Sequence, residues 1–335
     1  MCIRKHSDFL NRNLITQRKN QMSKIVATGA YLPKRLMSNT ELIEQIGIDS
    51  SDEWITQRTG IEQRHFASKD ESVSDLAVKA AEDLLVHLDS EVVSQIQLII
   101  VATMSSRLPT PSVASQVQQA LNIPKAWAFD VSGACSGFVM AMEMAEKLSR
   151  DKTSGYTLVI GAEKMSDILN FKDRGTSILF GDGAGAVLIE NDGQGLANYE
   201  SELVSIPDPE NAICVQTETT NGLMTMEGRS VFNFVLRQVI PSLSNFVQNK
   251  VGQFDYLVSH QANYRFIEIF AKKLKVPLEM IPTNIAKTAN TSAGSIPILL
   301  NELVQDKKIH LDGSQKIVLV GYGAGLAWGQ MSFTI

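Results

Sequence analysis

The sequence lacks any apolar run of about 18 residues, the length a membrane-crossing helix needs, and its mean hydropathy is −0.02. A helical membrane span is argued against, and a soluble chain with no membrane partner is expected. Cysteine is scarce. Cys2, Cys135 and Cys214 lie far apart, so neither a disulfide framework nor a metal site can be read from them. Positive charge is not in excess: 31 Lys and Arg face 36 Asp and Glu, for a net charge of −5. That disfavours a general nucleic-acid binder and leaves an anionic partner to meet a local basic patch. The first 21 residues carry Arg4, Lys5, Arg12, Arg18 and Lys19 but no apolar stretch of the kind a secretory signal needs. A reducing, cytoplasmic compartment is expected. Residues 1–22 are read as a tail outside the fold, with an early start codon before Met22 or a short targeting segment as the other readings.

Nucleotide-binding signatures are missing too. Gly181-Asp-Gly-Ala-Gly-Ala and Gly321-Tyr-Gly-Ala-Gly-Leu are glycine-rich, but neither is G-x-G-x-x-G or G-x-x-x-x-G-K-[ST]. Each leads into strand-like sequence, whereas a phosphate cradle needs a helix N-terminus at that place. Such glycines more often mark tight turns, whose N–H groups can face an oxyanion.

What is present is an alternation. Residues 97–102 (QLIIVA), 126–131, 157–161, 256–259 and 316–320 read as buried strands, and residues 74–88 carry apolar side chains at the helical period. Thr110-Pro111 looks like a cap and first-turn proline opening a helix over 111–121. Strands separated by helices imply an α/β fold with a mostly parallel sheet covered on both faces. The shared G-x-G-A-G frame, with similar alternation on both sides, points to two related halves, 23–194 and 195–335.

Cys135 lies in Phe129-Asp-Val-Ser-Gly-Ala-Cys-Ser-Gly-Phe, between an apolar run and the helical pattern of 136–148. It is therefore expected at a strand-to-helix turn, where a helix N-terminus favours thiolate and small neighbours admit a substrate. A thiolate nucleophile needs a partner. His260 ends the strand-like Tyr256-Leu-Val-Ser, and Asn290-Thr-Ser-Ala-Gly-Ser forms a small polar loop before a helix opened by Ile296-Pro297. Cys, His and Asn in this order fit a papain-like protease or an acyl-transferring condensing enzyme. The protease signature around its cysteine is absent.

Together with Phe180-Gly-Asp-Gly-Ala-Gly-Ala, His260-Gln-Ala-Asn, Gly321-Tyr-Gly-Ala-Gly-Leu-Ala-Trp-Gly and Ser51-Asp-Glu-Trp-Ile-Thr-Gln-Arg-Thr-Gly-Ile, these motifs resemble β-ketoacyl-acyl-carrier-protein synthase III. The resemblance runs from about residue 23 to the C-terminus. It implies the thiolase-like fold: two duplicated halves in a layered αβαβα arrangement, each with a five-stranded mixed sheet. It further implies a homodimer that condenses an acyl-CoA primer with malonyl-acyl carrier protein through an acyl-cysteine, with no cofactor and no metal.

On that resemblance Cys135 is the nucleophile, His260 and Asn290 stabilise the enolate, and Gly323 and Ala324 belong to the oxyanion loop. Trp54 and Arg174 would sandwich the CoA adenine and Arg58 would meet its phosphates. Gln261, Arg265, Lys272 and Lys273 would dock the acidic carrier protein, and Thr110 would line the acyl pocket across the dimer. The chain departs from the family pattern at Ala324 and Gly294, where glycine and alanine are usual, and at Thr110, where a larger residue is common. Two other readings within the fold are a condensing enzyme of specialised metabolism with another acyl acceptor, and a non-catalytic partner subunit.

Overall fold

The computed structural model describes residues 22–150, 152–215 and 222–335. Apart from Met22, the N-terminal stretch read as a tail lies outside the described residues.

The first half contains β1 (Lys24–Tyr31), β2 (Arg35–Ser38), β3 (Gln63–Phe66), β4 (Ile96–Ala102), β5 (Trp127–Val131), β6 (Tyr156–Glu163) and β7 (Gly183–Glu190). Its main sheet has the order β1-β7-β6-β4-β5. β4 is parallel to both β5 and β6, while β7 runs antiparallel to β6 and β1. β4 reads IQLIIVA and is buried on both faces, the continuous apolar run that a strand between two helical layers requires.

The second half contains β8 (Glu200–Ser205), β9 (Ile213–Val215), β10 (Met224–Met226), β11 (Tyr256–Ser259), β12 (Lys316–Gly323) and β13 (Ala327–Thr334). Among the described residues its main sheet has four strands, β11-β12-β13-β8, rather than the expected five, and β9 pairs only with β10. β11 is parallel to β12, and β13 is antiparallel to β12 and β8. That order repeats β4-β6-β7-β1 of the first sheet. The duplication thus shows in the topology, but the glycine frame that hinted at it is not its trace. Gly181–Ala186 enters β7, whereas Gly321–Leu326 leaves β12. The corresponding cross-strand pairs are Gly161 with Gly185 and Gly321 with Gly329.

Helices Gly137–Ser149 and Ser295–Gln305 lie between the sheets. Phe138, Met142, Leu299 and Leu303 share one core with Leu98, Ile100 and Val187 of the first sheet and Ile317, Leu319 and Phe333 of the second. Helices Val73–Leu85 and Val113–Ala120 cover the outer face of the first sheet, and Tyr264–Leu274 covers that of the second. Five layers result, in the expected order. The 113–120 helix is capped by Ser112, not Thr110, and the Asp130 carboxylate accepts from the N–H groups of Val113 and Ala114. An acid from β5 therefore satisfies first-turn donors that a cap alone would leave free.

Candidate active site

Cys135 sits in the short turn Ala134–Ser136 that joins β5 to the central helix. Ala134 is held in the left-handed region, at φ 45°, a conformation that costs a non-glycine residue about 1–3 kcal/mol and clusters at functional sites. Asn290 is flanked the same way, by Ala289 at φ 54° and Ser292 at φ 49°. Its backbone is pinned beside Phe180: Asn290 N–H donates to Leu179 O and Gly181 N–H to Asn290 O. His260 directly follows β11, and its N–H donates to Val320 O of β12.

Cys135, His260 and Asn290 line one cavity of about 620 Å³. Its exposed end carries Arg58, Arg174 and the half-buried Trp54, and its inner wall includes Met104, Met165, Phe180, Ile213 and Met224. A larger cavity of about 750 Å³, lined by Lys69, Arg107 and Lys164, contains none of the three. The site thus draws on both halves, as the chain order Cys, His, Asn anticipated.

Three further groups complete it. The Cys135 thiol donates to Ser292 Oγ at 3.6 Å, and Ser292 Oγ donates to Glu163 Oε1 at 3.2 Å. Glu163 is wholly buried, accepting also from Ser105 Oγ, Thr103 Oγ1 and the N–H groups of Met104 and Ser105. Ser292 N–H holds Asn290 Oδ1 at 2.8 Å, which orients the amide and leaves Nδ2 as donor. Ser295 Oγ stands 2.7 Å from His260 Nδ1. Sequence reasoning marked the loop from Asn290 to Ser295 as small and polar but gave Ser292, Ser295 and Glu163 no part. Their only signal was a pair of hydroxyls within that loop and a lone acid at a buried strand end.

Burial opposes the expected ionisation of Cys135. Burial pushes its thiol up to about 12; the Ser292 hydroxyl pulls against this and the Glu163 charge adds to it. Burial likewise pushes His260 down to about 3 and raises Glu163 to about 7. Loss of water is the largest influence on both groups and favours the neutral thiol and the neutral imidazole.

Gly323 lies so close to the nucleophile that a Cβ there would fall 2.9 Å from Cys135 Cβ and 3.4 Å from Sγ. Ala324 lines the cavity and needs no positive φ, because Gly325, at φ 135°, takes that conformation. Gly294 packs on the sheet, where an added Cβ would come 2.9 Å from Gly183 O. Trp54 is flanked by the guanidinium groups of Arg174 at 4.8 Å and Arg58 at 5.1 Å. Arg265, Lys272 and Lys273 are exposed on the 264–274 helix. Gln261 is not available for docking. It is fully buried, donating from Nε2 to Ser259 O and accepting from Thr283 Oγ1. Thr110 is exposed and does not line this cavity.

Among the described residues, no group of three His, Cys, Asp or Glu is placed to hold a metal ion, and no helix is long and apolar enough to cross a membrane.

Known proteins bear on this geometry. Residues 129–205 match the family model of 3-oxoacyl-[acyl-carrier-protein] synthase III, and residues 247–335 match its C-terminal model. The chain is 42% identical to the β-ketoacyl-[acyl-carrier-protein] synthase III of Streptococcus gordonii, covering 94% of this chain and all of that one. A second such synthase, from Streptococcus equi subsp. zooepidemicus, is also 42% identical, over 92% of this chain and 98% of its own. The crystal structure of 3-oxoacyl-[acyl-carrier-protein] synthase III from Aquifex aeolicus superposes with a TM-score of 0.85 at 36% identity, covering 93% of this chain and all of that one. With the layered fold and the convergent cysteine, histidine and asparagine, these likenesses show that the chain belongs to the β-ketoacyl-acyl-carrier-protein synthase III family.

Proposed function

We propose that this protein starts fatty-acid synthesis by condensing an acyl-CoA primer, acetyl or a short or branched acyl group, with malonyl-acyl carrier protein to give a 3-oxoacyl-acyl carrier protein. The observation that carries this reading is the meeting of Cys135, His260 and Asn290 in a cavity whose open end presents Trp54, Arg58 and Arg174.

The sulfur of Cys135 attacks the primer carbonyl as His260 takes the thiol proton; the carbon–sulfur bond to CoA breaks and the leaving sulfur takes that proton. Neutral resting partners suit this order, since charge forms only once substrate has closed the site from water. The malonyl group then loses CO₂, and negative charge builds on its thioester oxygen. Asn290 Nδ2 donates to that oxygen, and His260 does so whenever Nε2 bears a proton. The carbanion attacks the acyl-Cys135 carbonyl, whose oxyanion is met by backbone N–H groups at Cys135 and the Gly323–Ala324 turn. Each such donor is worth about 100- to 1000-fold in rate. CoA thioester is a substrate here, not a cofactor.

Arg265, Lys272 and Lys273 form the basic patch for the acidic carrier protein. A homodimer is supported by the edge of the first sheet. Among the described residues β5 is its edge strand, and Trp127, 60% exposed, packs at a tilt against Phe129 with ring centroids 5.0 Å apart. Pairing two such edges covers both rings and brings Thr110 toward the acyl pocket of the second copy. The compartment is the cytoplasm, and the halves 23–194 and 195–335 reflect an ancestral duplication. The test is intact-mass spectrometry after incubation with acetyl-, isobutyryl- and octanoyl-CoA. One acyl group should be gained from the preferred primer and none after Cys135→Ala; an unchanged adduct in that variant would overturn the assignment.

A further inference from the structure

We propose that Ser295 is a positioning residue for primer loading: its hydroxyl holds His260 in the tautomer protonated on Nδ1, so that Nε2 offers a bare lone pair to the Cys135 thiol. This rests on the loading reaction proposed above.

The hydroxyl of Ser295 has one proton and two neighbours that compete for it. Ser292 O lies 2.9 Å away and is aligned as its acceptor, while His260 Nδ1 lies at 2.7 Å. With the proton on Ser292 O, the short contact to Nδ1 is a hydrogen bond only if Nδ1 is the donor. The tautomer of a neutral imidazole is set by whichever bond one of its nitrogens makes. Burial depresses the basicity of the ring. The nearest ring, Tyr322, meets it edge-on with centroids 5.2 Å apart. Gln261 N–H, 3.4 Å from Ser295 Oγ, helps keep that oxygen in place. Ser295 itself stands at the first position of the buried helix Ser295–Gln305, so the hydroxyl is fixed by the core rather than by a mobile loop.

The proton balance of loading then closes without a change of tautomer. Nε2 takes the thiol proton as the Cys135 sulfur–carbon bond forms, and passes it to the CoA sulfur as the carbon–sulfur bond to CoA breaks. The ring returns to its starting form.

Two measurements test this. Without a partner at Nδ1, a neutral histidine favours the proton on Nε2. Ser295→Ala should therefore slow single-turnover loading from acyl-CoA by about 100-fold, the usual contribution of a positioned base. Release of CO₂ from malonyl-acyl carrier protein by enzyme already acylated should rise, because that step uses an Nε2–H donor and the variant populates it. A parallel loss in both steps, as from loosened packing, would overturn the proposal, as would unchanged loading. Independently, ¹⁵N spectra of histidine-labelled wild-type enzyme at pH 7 should show a bare Nε2 on His260; a protonated Nε2 would refute the tautomer. If wild-type enzyme acquired no acyl group at all, the function itself would be wrong, a separate and recognisable outcome.

Discussion

Alkylation of Cys135 by iodoacetamide should be slow at neutral pH and should climb steadily with pH. An ordinary thiol titrates near 9.0, and burial moves this one to about 12. Three units amount to about 4 kcal/mol against the thiolate, or about 1000-fold less of it at any pH below 9. At pH 7 about one molecule in 10⁵ carries the anion, against about one in 100 for an unshifted thiol. The physical source is plain: the sulfur's residue is 9% exposed, and its polar neighbour is a hydroxyl that leads to a buried acid rather than to a cation. The assay is peptide-resolved mass spectrometry of the alkylated protein from pH 6 to 10, with the half-exposed Cys214 as internal reference. Cys214 should react first, and the Cys135 rate should rise about tenfold per pH unit without levelling. A plateau below pH 8 would mean that the thiolate exists at rest, and would refute the burial argument in favour of the helix terminus.

Other outcomes follow from the same site. Because burial lowers His260 from 6.5 to about 3, its contribution to stability is complete above pH 6.5 and is lost as the pH falls toward 3. Urea unfolding across that window should show His260→Asn flattening the acid limb by an amount on the order of 5 kcal/mol. Asn290→Ala should slow CO₂ release by about 100- to 1000-fold while sparing primer loading, a split that rapid-quench measurement of each half-reaction would reveal. Trp54→Ala removes the face on which the adenine stacks, and steady-state kinetics should show KM for acyl-CoA rising about tenfold with kcat retained.

Much of the site was legible along the chain because its signals are local. The strand-to-turn-to-helix change around Cys135, the strand end at His260 and the small residues after Asn290 each occupy a few consecutive positions. Burial is not local. Gln261 follows His260 and looked like a surface group, yet Thr283 and Ser259 enclose it. Glu163 lies just past the strand read over 157–161, and its role at the site shows only where Ser292 of the 290–295 loop donates to it.

The alternation of strands and helices and the candidates Cys135, His260 and Asn290 were legible in the sequence, since periodicity and turn chemistry act within a few residues, while the layered architecture came with the resemblance to the synthase III family. The tertiary structure decided what depends on distant segments meeting: that among the described residues the second sheet has four strands, that burial pushes the Cys135 thiol up, that Ser292 links it to Glu163, and that Ser295 meets His260. Dielectric surroundings and hydrogen-bond partners are properties of packed space, and no stretch of chain carries them by itself.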